Sequence, residues 1–234
     1  QNLLEVDKII VVGEKLQRDI KKVYPEFKNK VDVLYNGIDL KAIPIPDDKK
    51  RLFQSKNKLK ILMVGAFAPG KGAHVLISSL STSKLPPFEL IIIGSILDRN
   101  YYREIKELIK EKNLGNDVFL LSSMKREDLW QYYHDCDIFI LPSLSEGFGI
   151  SLIEAMACGK PVISTKSGGP ESLINIQNGL LVEPGNSKDL AGAIANMANS
   201  FQNYNSKEIK NHVKLKYSSE IIIGKLMKIY SDLD

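Results

Sequence analysis

Residues 138–164 read IFILPSLSEGFGISLIEAMACGKPVIS, and this stretch decides the fold. It opens with an apolar run that Pro142 ends, passes through a loop with two glycines, and continues with apolar residues spaced by three and four as far as Gly159. A second apolar run follows at Pro161–Thr165. Continuous apolar runs are typical of strands covered on both faces, and the spacing of three and four is typical of a helix. The stretch therefore predicts a strand–loop–helix–strand unit with parallel strands.

The same alternation continues on both sides of this stretch. It predicts strands at Lys58–Val64, Phe88–Gly94, Val118–Leu121, Asp137–Leu141, Pro161–Thr165 and Leu180–Val182, and helices from near Lys71 to about Ser83 and at Arg99–Lys112, Arg126–His134, Gly149–Cys158 and Lys188–Ala198. Repeated alternation predicts an α/β fold with a doubly wound parallel sheet. Ligands of such sheets bind beyond the carboxyl ends of the strands, so a site is expected in the loops that follow them.

The first 45 residues show a separate pattern, with strands at Asp7–Val12 and Val31–Leu34 around a helix at Glu14–Val23. A unit of this size is too small to hold a core alone, so we expect it to complete the sheet of another domain. A polar stretch rich in proline and lysine then predicts a linker. The predicted organisation is a strand–helix–strand unit at 1–45, a linker at 46–57, a main domain at 58–200 and C-terminal helices at 201–234.

Composition indicates an ordinary globular protein, since 44% of the 234 residues are apolar and 26% are charged. The net charge of +4 forms no arginine or lysine stripe, which argues against a nucleic-acid partner and leaves weak attraction to an anionic membrane as a second interpretation. No apolar run approaches the roughly 20 residues that cross a bilayer. Two cysteines without disulfide or metal spacing favour a reducing compartment. We therefore expect a cytoplasmic protein, with membrane association left open.

Residues 65–72, Gly-Ala-Phe-Ala-Pro-Gly-Lys-Gly, nearly match the phosphate-binding P-loop. Gly72 replaces the Ser or Thr that would hold a metal ion, and Pro69 removes a backbone N–H donor, which disfavours a nucleotide-cleaving P-loop. A helix that begins near Lys71 would still present free N–H groups and the lysine to a diphosphate. The alternative is a plain strand-to-helix turn with a surface lysine.

Two carboxylates lie eight residues apart in the stretch at residues 138–164. Glu146 lies in the loop after the strand, and Glu154 lies about one turn into the predicted helix. The glycines between them let the backbone approach a ligand and present N–H groups to an anion. Taken alone, these residues leave a second interpretation open, in which Glu154 is a solvated helix residue.

A metal site is not expected. Asp135-Cys136-Asp137 matches a metal-binding Asp-x-Asp pattern, but it precedes a strand and so lies at the opposite edge of the sheet from the predicted ligand site. A capping or turn role is therefore favoured. The three histidines are scattered along the chain, and no other metal-ligand spacing occurs, so we expect neither a metal nor a cofactor.

The segment from Glu146 to Glu154 resembles the E-x7-E motif of the retaining glycosyltransferases with the GT-B fold, the glycogen-synthase-like and phosphatidylinositol-mannosyltransferase-like enzymes of group 1. The resemblance extends over nearly the whole chain, and it implies a Rossmann-like, carboxy-terminal donor-binding domain preceded by a remnant of the acceptor domain. The other segments that carry it, in order, are Asn36–Asp39, Gly65 with Lys71-Gly72, Cys136–Ser143, Gly159–Ile163, Gly168–Glu171 and Asn178–Val182.

The resemblance also implies a role for each site residue. Glu146 and Lys71 are the implied catalytic residues: Glu146 contacts the donor sugar, and Lys71 neutralises the departing nucleoside diphosphate. Glu154 accepts hydrogen bonds from the ribose, and the N–H groups of Gly149 and Ile150 face the diphosphate. The implied donor-binding residues are Gly65, Ala66, Gly72, Ser123, Met124, Gly147, Phe148, Gly149, Ile150 and Glu154, with the base near Ser123 and Met124.

The implied reaction moves a hexose or related sugar from a UDP- or GDP-sugar to a glycan or lipid acceptor, with retention and without a metal, in polysaccharide or glycolipid synthesis. Ala66 departs from the family, whose members usually carry an arginine there that shares the phosphates with the lysine. We expect most of the acceptor domain, which activity needs, to lie outside this sequence. The alternatives are a non-catalytic nucleotide-sugar-binding subunit and a GT-B nucleotide-sugar epimerase, and the E-x7-E motif argues against the epimerase.

Overall fold

The computed structural model describes residues 5–47, 49–50, 52–55, 57–81 and 85–233. Its strands are β1 (Ile9–Val11), β2 (Val31–Val33), β3 (Leu59–Val64), β4 (Phe88–Gly94), β5 (Val118–Ser122), β6 (Ile138–Leu141), β7 (Val162–Thr165) and β8 (Gly179–Val182). Its α-helices are α1 (Glu14–Val23), α2 (Ala73–Leu80), α3 (Arg99–Glu111), α4 (Arg126–Asp135), α5 (Ile150–Ala157), α6 (Pro170–Leu173), α7 (Ser187–Ser200), α8 (Ser206–Tyr217) and α9 (Ser219–Ser231).

Six strands form one parallel sheet in the order β5-β4-β3-β6-β7-β8. From β3 the chain adds β4 and β5 toward one edge of the sheet. It then returns to the middle, where β6 pairs with β3, and adds β7 and β8 toward the other edge. The carboxyl ends of β3 and β6 are therefore where neighbouring connections leave in opposite directions and open a crevice. This arrangement confirms the predicted doubly wound α/β fold.

The sheet is covered on both faces, as its continuous apolar strands predict. Every residue of β4 and β6 is buried. One core lies on the face of α4, α5 and α8 and contains Tyr133, Phe139 and Tyr217, and the other lies on the face of α2, α3 and α7. The two cysteines, Cys136 and Cys158, are buried free thiols, and burial raises the pKa of each to about 12.

Strands β1 and β2 form a separate parallel pair with α1 between them in sequence. The segment after β2 attaches this unit to the larger domain. The backbone N–H of Ile38 donates to the carbonyl of Tyr217, and the N–H of Ser219 donates to the carbonyl of Ile38. The ring of Tyr35 stacks on Phe148 with 5.6 Å between centroids. The first unit is thereby held against the carboxyl end of β6, where the crevice opens.

The stretch predicted as a linker is fastened to the main domain at residues 52–55. Side-chain acceptors hold its backbone: Asp135 accepts from the N–H groups of Leu52 and Phe53, and Glu89 accepts from those of Gln54 and Ser55. Phe53 is buried. Glu89 is therefore a buried carboxylate whose charge is satisfied by backbone donors.

Two differences from the predicted elements affect the site. The helix predicted to begin near Lys71 begins at Ala73, because Pro69–Lys71 forms a 3-10 turn, and its predicted end at Ser83 lies outside the described residues. The short helix α6, which Pro170 starts, was not predicted. In the part of the chain that the structure describes, no helix is long and apolar enough to cross a membrane.

Candidate functional site

A cavity of about 440 Å³ opens at the carboxyl ends of β3 and β6. It lies between the first unit and the main domain, because both contribute to its wall. Its lining residues are Val12, Asn36, Val64, Gly65, Lys71, Leu141, Glu146, Phe148, Gly149, Ile150, Ser151 and Glu154. The crevice that the strand order predicts is therefore a real concave site with charged groups in it.

Lys71 and Glu146 meet on one side of the cavity. The Nζ of Lys71 lies 2.7 Å from Oε2 of Glu146, which also accepts from the Ser143 hydroxyl at 3.3 Å. The Glu146 side chain is 13% exposed and that of Lys71 is 34% exposed. The backbone of Glu146 is fixed by hydrogen bonds with Ser167 and Gly169. The backbone of Glu146 is thus held at both its N–H and its carbonyl, and Lys71 is the more exposed partner of the pair.

Gly72 explains how Lys71 reaches this position. Gly72 has φ 73°, in the left-handed region that favours glycine, and a Cβ there would lie 2.0 Å from the carbonyl oxygen of Pro142. The loop after β3 therefore packs directly on the loop after β6, with Gly72 against the backbone of Pro142. Gly72 does not line the cavity, so its structural contribution is this close approach.

Glu154 lies on another side of the cavity and is buried, with 7% of its surface exposed. Its Oε2 accepts from the Tyr133 hydroxyl at 2.7 Å, and its Oε1 pairs with the guanidinium of Arg126 at 2.5 Å. Burial raises the pKa of Glu154, whereas the Tyr133 hydrogen bond and the Arg126 charge oppose that rise. The interpretation of Glu154 as a solvated helix residue is wrong.

The amino end of α5 faces the cavity. Gly149 precedes the helix with φ 96°, and Ile150 and Ser151 form its first turn. The N–H groups in the first turn of a helix have no acceptor within the helix, and the helix dipole places partial positive charge there. This end of the cavity is therefore suited to an anion.

The N–H groups at the amino end of α2 do not have the role predicted for them. The N–H of His74, in the first turn of α2, donates to the Tyr101 hydroxyl at 3.1 Å, and neither His74 nor Ala73 lines the cavity. The expectation that free N–H groups of this helix face a diphosphate is wrong. The sequence could not show it, because Tyr101 lies on α3, far along the chain.

Comparison with known proteins identifies the family. Residues 44–212 match the family described as Glycosyl transferases group 1. The chain belongs to this family. It is 32% identical to an uncharacterised glycosyltransferase of Methanocaldococcus jannaschii over 97% of this chain and 60% of the relative. Sucrose-phosphate synthase of Thermosynechococcus elongatus superposes with a TM-score of 0.87 at 28% identity, over 99% of this chain and 59% of that one.

A second similar structure has a nucleotide sugar bound. The Anabaena protein HepE, solved in complex with UDP-glucose, superposes with a TM-score of 0.87 at 26% identity, over 97% of this chain and 64% of that one. These neighbours have the GT-B fold, which agrees with the resemblance. This group 1 glycosyltransferase chain spans about 60% of the length of the curated relatives that it matches first.

The structure gathers seven of the residues predicted for the donor site around the cavity: Gly65, Lys71, Glu146, Phe148, Gly149, Ile150 and Glu154. Five others do not line it. Gly147 borders a smaller neighbouring cavity, and Gly72 packs on Pro142. Ala66, Ser123 and Met124 also lie outside the lining, although Ser123 and Met124 are in the loop that leads into α4 and its Arg126.

Several site residues were missed by the sequence analysis. Tyr133 and Arg126 hold Glu154, and both come from α4, 21 and 28 residues earlier in the chain. Val12 and Asn36 enter the cavity from the first unit. Asn36 had a signal, since it opens the Asn36–Asp39 segment that resembles the family. Tyr133 and Arg126 had none, because nothing in local spacing links them to Glu154.

The aspartates of the Asp135-Cys136-Asp137 segment make structural contacts to β3, rather than serving as the helix cap or turn that the sequence favours. Asp135 pairs with Lys60 at 3.1 Å, and Asp137 accepts from the backbone N–H of Lys60 at 2.8 Å. These bonds tie α4 and the start of β6 to β3. Among the described residues, no group of three or more His, Cys, Asp or Glu side chains is arranged to hold a metal ion.

Proposed function

We propose that this chain binds a nucleoside-diphosphate sugar in the cavity and forms the donor half of a retaining glycosyltransferase. The observation that carries the proposal is the arrangement around one cavity of a lysine, two carboxylates and a free helix terminus, in a chain of this family. A UDP-sugar or a GDP-sugar is the proposed donor. HepE, with UDP-glucose bound, supports a donor of this chemistry.

The diphosphate is proposed to lie between Lys71 and the amino end of α5. In the free protein the charges are balanced in pairs, with Lys71 on Glu146 and Arg126 on Glu154. A diphosphate that enters must attract Lys71 away from Glu146 or share it. The partial exposure of the lysine permits that movement, and the N–H groups of Ile150 and Ser151 provide further donors.

The ribose is proposed to bind to Glu154 and the transferred sugar to Glu146. A buried carboxylate is a strong acceptor for hydroxyl groups, and each glutamate lines the cavity at a different place. This arrangement fixes both ends of the donor relative to the diphosphate between them. The base is then proposed to extend toward the loop that precedes α4, where Ser123 and Met124 lie.

In the proposed reaction, the bond from the anomeric carbon to the diphosphate oxygen breaks, and a bond to an acceptor hydroxyl oxygen forms on the same face of the sugar. The acceptor proton passes to the departing diphosphate oxygen. Lys71 and the α5 N–H groups stabilise the charge that develops on the leaving group. No metal is proposed to take part. The acceptor is proposed to be a glycan or a lipid, with peripheral membrane contact where a lipid is used.

The test has two parts. Calorimetric titration of this chain with UDP, GDP, UDP-sugars and GDP-sugars should give saturable one-site binding for at least one of these ligands. The complete encoded polypeptide should then transfer sugar from one donor of a panel to glycan or lipid acceptors, with the product anomer assigned by NMR. Binding without transfer to any acceptor would favour the non-catalytic subunit, which Ala66 motivates, and absence of binding would refute the proposal.

A further inference from the structure

The two oxygens of the Glu154 carboxylate have separate partners, and both partners come from α4. Tyr133 donates its hydroxyl to Oε2 at 2.7 Å, while Arg126 pairs with Oε1. Only 9% of the Glu154 side chain is exposed. A carboxylate this buried can serve a ligand only if its orientation is fixed by the groups behind it.

The two partners differ in how firmly they are held. Tyr133 is completely buried, and its ring lies against Trp130 and Phe139 with centroid separations of 5.7 and 5.6 Å. Its hydroxyl has a fixed place. The Arg126 side chain is 58% exposed, and its guanidinium lies 5.5 Å from the Trp130 ring. Tyr133 is thus the buried and more firmly packed partner of Glu154, and Arg126 is the exposed one.

The charges around Glu154 agree with this difference. On α4, burial raises the pKa of Tyr133 well above its usual value, so the phenol remains a neutral donor. Directly after α5, burial raises the pKa of Cys158 to about 12, so the thiol is neutral. Across the cavity, Lys71 and Glu146 neutralise each other. Arg126 is therefore the group that balances the Glu154 charge in the free protein.

We propose that Tyr133 is a positioning residue that holds Glu154 with Oε1 toward the cavity, and that Arg126 is an exchangeable counter-ion which ribose hydroxyls displace. This inference rests on the proposed function, because it assumes that a ribose enters this cavity. It predicts that the protein distinguishes ribose from 2′-deoxyribose. It also predicts that this discrimination depends on the Tyr133 hydroxyl and on the ionisation of Glu154.

The pH dependence has a definite direction. The Tyr133 hydrogen bond lowers the pKa of Glu154, so its loss raises that pKa and moves protonation of the carboxyl to higher pH. An ionised acceptor binds a hydroxyl more strongly than a neutral one. The ratio of affinities for UDP and 2′-deoxy-UDP isolates this effect, because the two ligands carry the same phosphates and the same base.

The experiment titrates UDP and 2′-deoxy-UDP into the wild type, Tyr133→Phe and the control Tyr132→Phe between pH 5 and pH 8. GDP and 2′-deoxy-GDP form a second pair in case the site prefers guanine. Phe preserves the packing of either ring. The Tyr132 hydroxyl is a matched control, since it is on the same helix and makes no hydrogen bond to any other described residue.

The wild type and Tyr132→Phe should prefer the ribonucleotide by about tenfold or more at pH 8, the range for a hydrogen bond to a charged group. In Tyr133→Phe the preference should fall below about threefold, and the pH at which it is lost should move upward. Equal ratios and pH profiles for Tyr133→Phe and Tyr132→Phe would overturn the role of Tyr133.

Arg126→Gln provides a second test, at a side chain that is 58% exposed. The ribose preference at pH 8 should be at least that of the wild type, because the ribose no longer competes with the guanidinium. Loss of the preference in this variant would overturn the exchangeable role. Wild-type binding of UDP without ribose discrimination would refute this inference and the proposed contact of ribose with Glu154, but not nucleotide binding in the cavity, whereas absence of UDP and GDP binding would refute the proposed function as a whole.

Discussion

Replacement of Lys71 by methionine tests the diphosphate position most simply. The substitution keeps the length of the side chain and removes the ammonium group, which lies 2.7 Å from Glu146 and is proposed to contact the diphosphate. A hydrogen bond to a charged group contributes about 1.5–3 kcal/mol. Because the lysine side chain is 34% exposed, we expect the lower half of that range. The dissociation constant for UDP should then rise by about 10–40-fold.

Calorimetric titration at one fixed salt concentration measures this change. Lys166→Met is the matched control, since Lys166 is a surface lysine that pairs with Glu183 and does not line the cavity. Glu146→Gln should not weaken UDP binding, because it removes a negative charge beside the diphosphate. If Lys71→Met binds UDP within about twofold of the wild type and of Lys166→Met, an electrostatic role for Lys71 is refuted.

Three further predictions concern the same region. Ala66→Arg should tighten UDP binding by about tenfold in the same titration, since it supplies the phosphate partner that the family usually has; unchanged affinity would mean that Ala66 is not near the diphosphate. Gly169→Ala should lower Tm by about 3–10 °C in thermal melts, because its Cβ would lie 2.3 Å from Cα of Phe148, whereas Gly147→Ala, with nothing within 4 Å, should leave Tm unchanged. Burial raises the pKa of Glu154, so the folded wild type binds a proton on this carboxyl more tightly than the unfolded chain does. The free energy of unfolding therefore falls as pH rises through the pKa of Glu154 in the folded protein. Glu154→Gln should therefore melt higher than the wild type at pH 8, with the difference vanishing toward pH ~4, the unfolded value for Glu, and the reverse order at pH 8 would contradict the account.

Much of the fold could be predicted because its signals are local. Apolar runs placed the six strands of the main sheet, and their alternation with helices implied parallel strands and a crevice at the carboxyl ends. The E-x7-E spacing identified the loop and helix that carry Glu146 and Glu154. Both glutamates line the cavity with Lys71, as their positions after β3 and β6 require.

What the sequence could not show depends on contacts between distant segments. The partners of Glu154 come from α4, whose Tyr133 and Arg126 lie 21 and 28 residues earlier in the chain. The amino end of α2 is occupied by Tyr101 from α3, whereas the amino end of α5 lines the cavity. The stretch that looked like a linker is held by buried Glu89 and by Asp135, whose partners are backbone groups that no sequence pattern marks.

A crystal structure of this chain with UDP tests the central claim most directly. We expect a diphosphate within about 3 Å of Nζ of Lys71 and of the N–H groups of Ile150 and Ser151, with ribose hydroxyls on Glu154 in place of Arg126. UDP bound at another place would contradict it, and the lysine-lined cavity at α8, with Lys207, Lys210 and Lys214, is one such place.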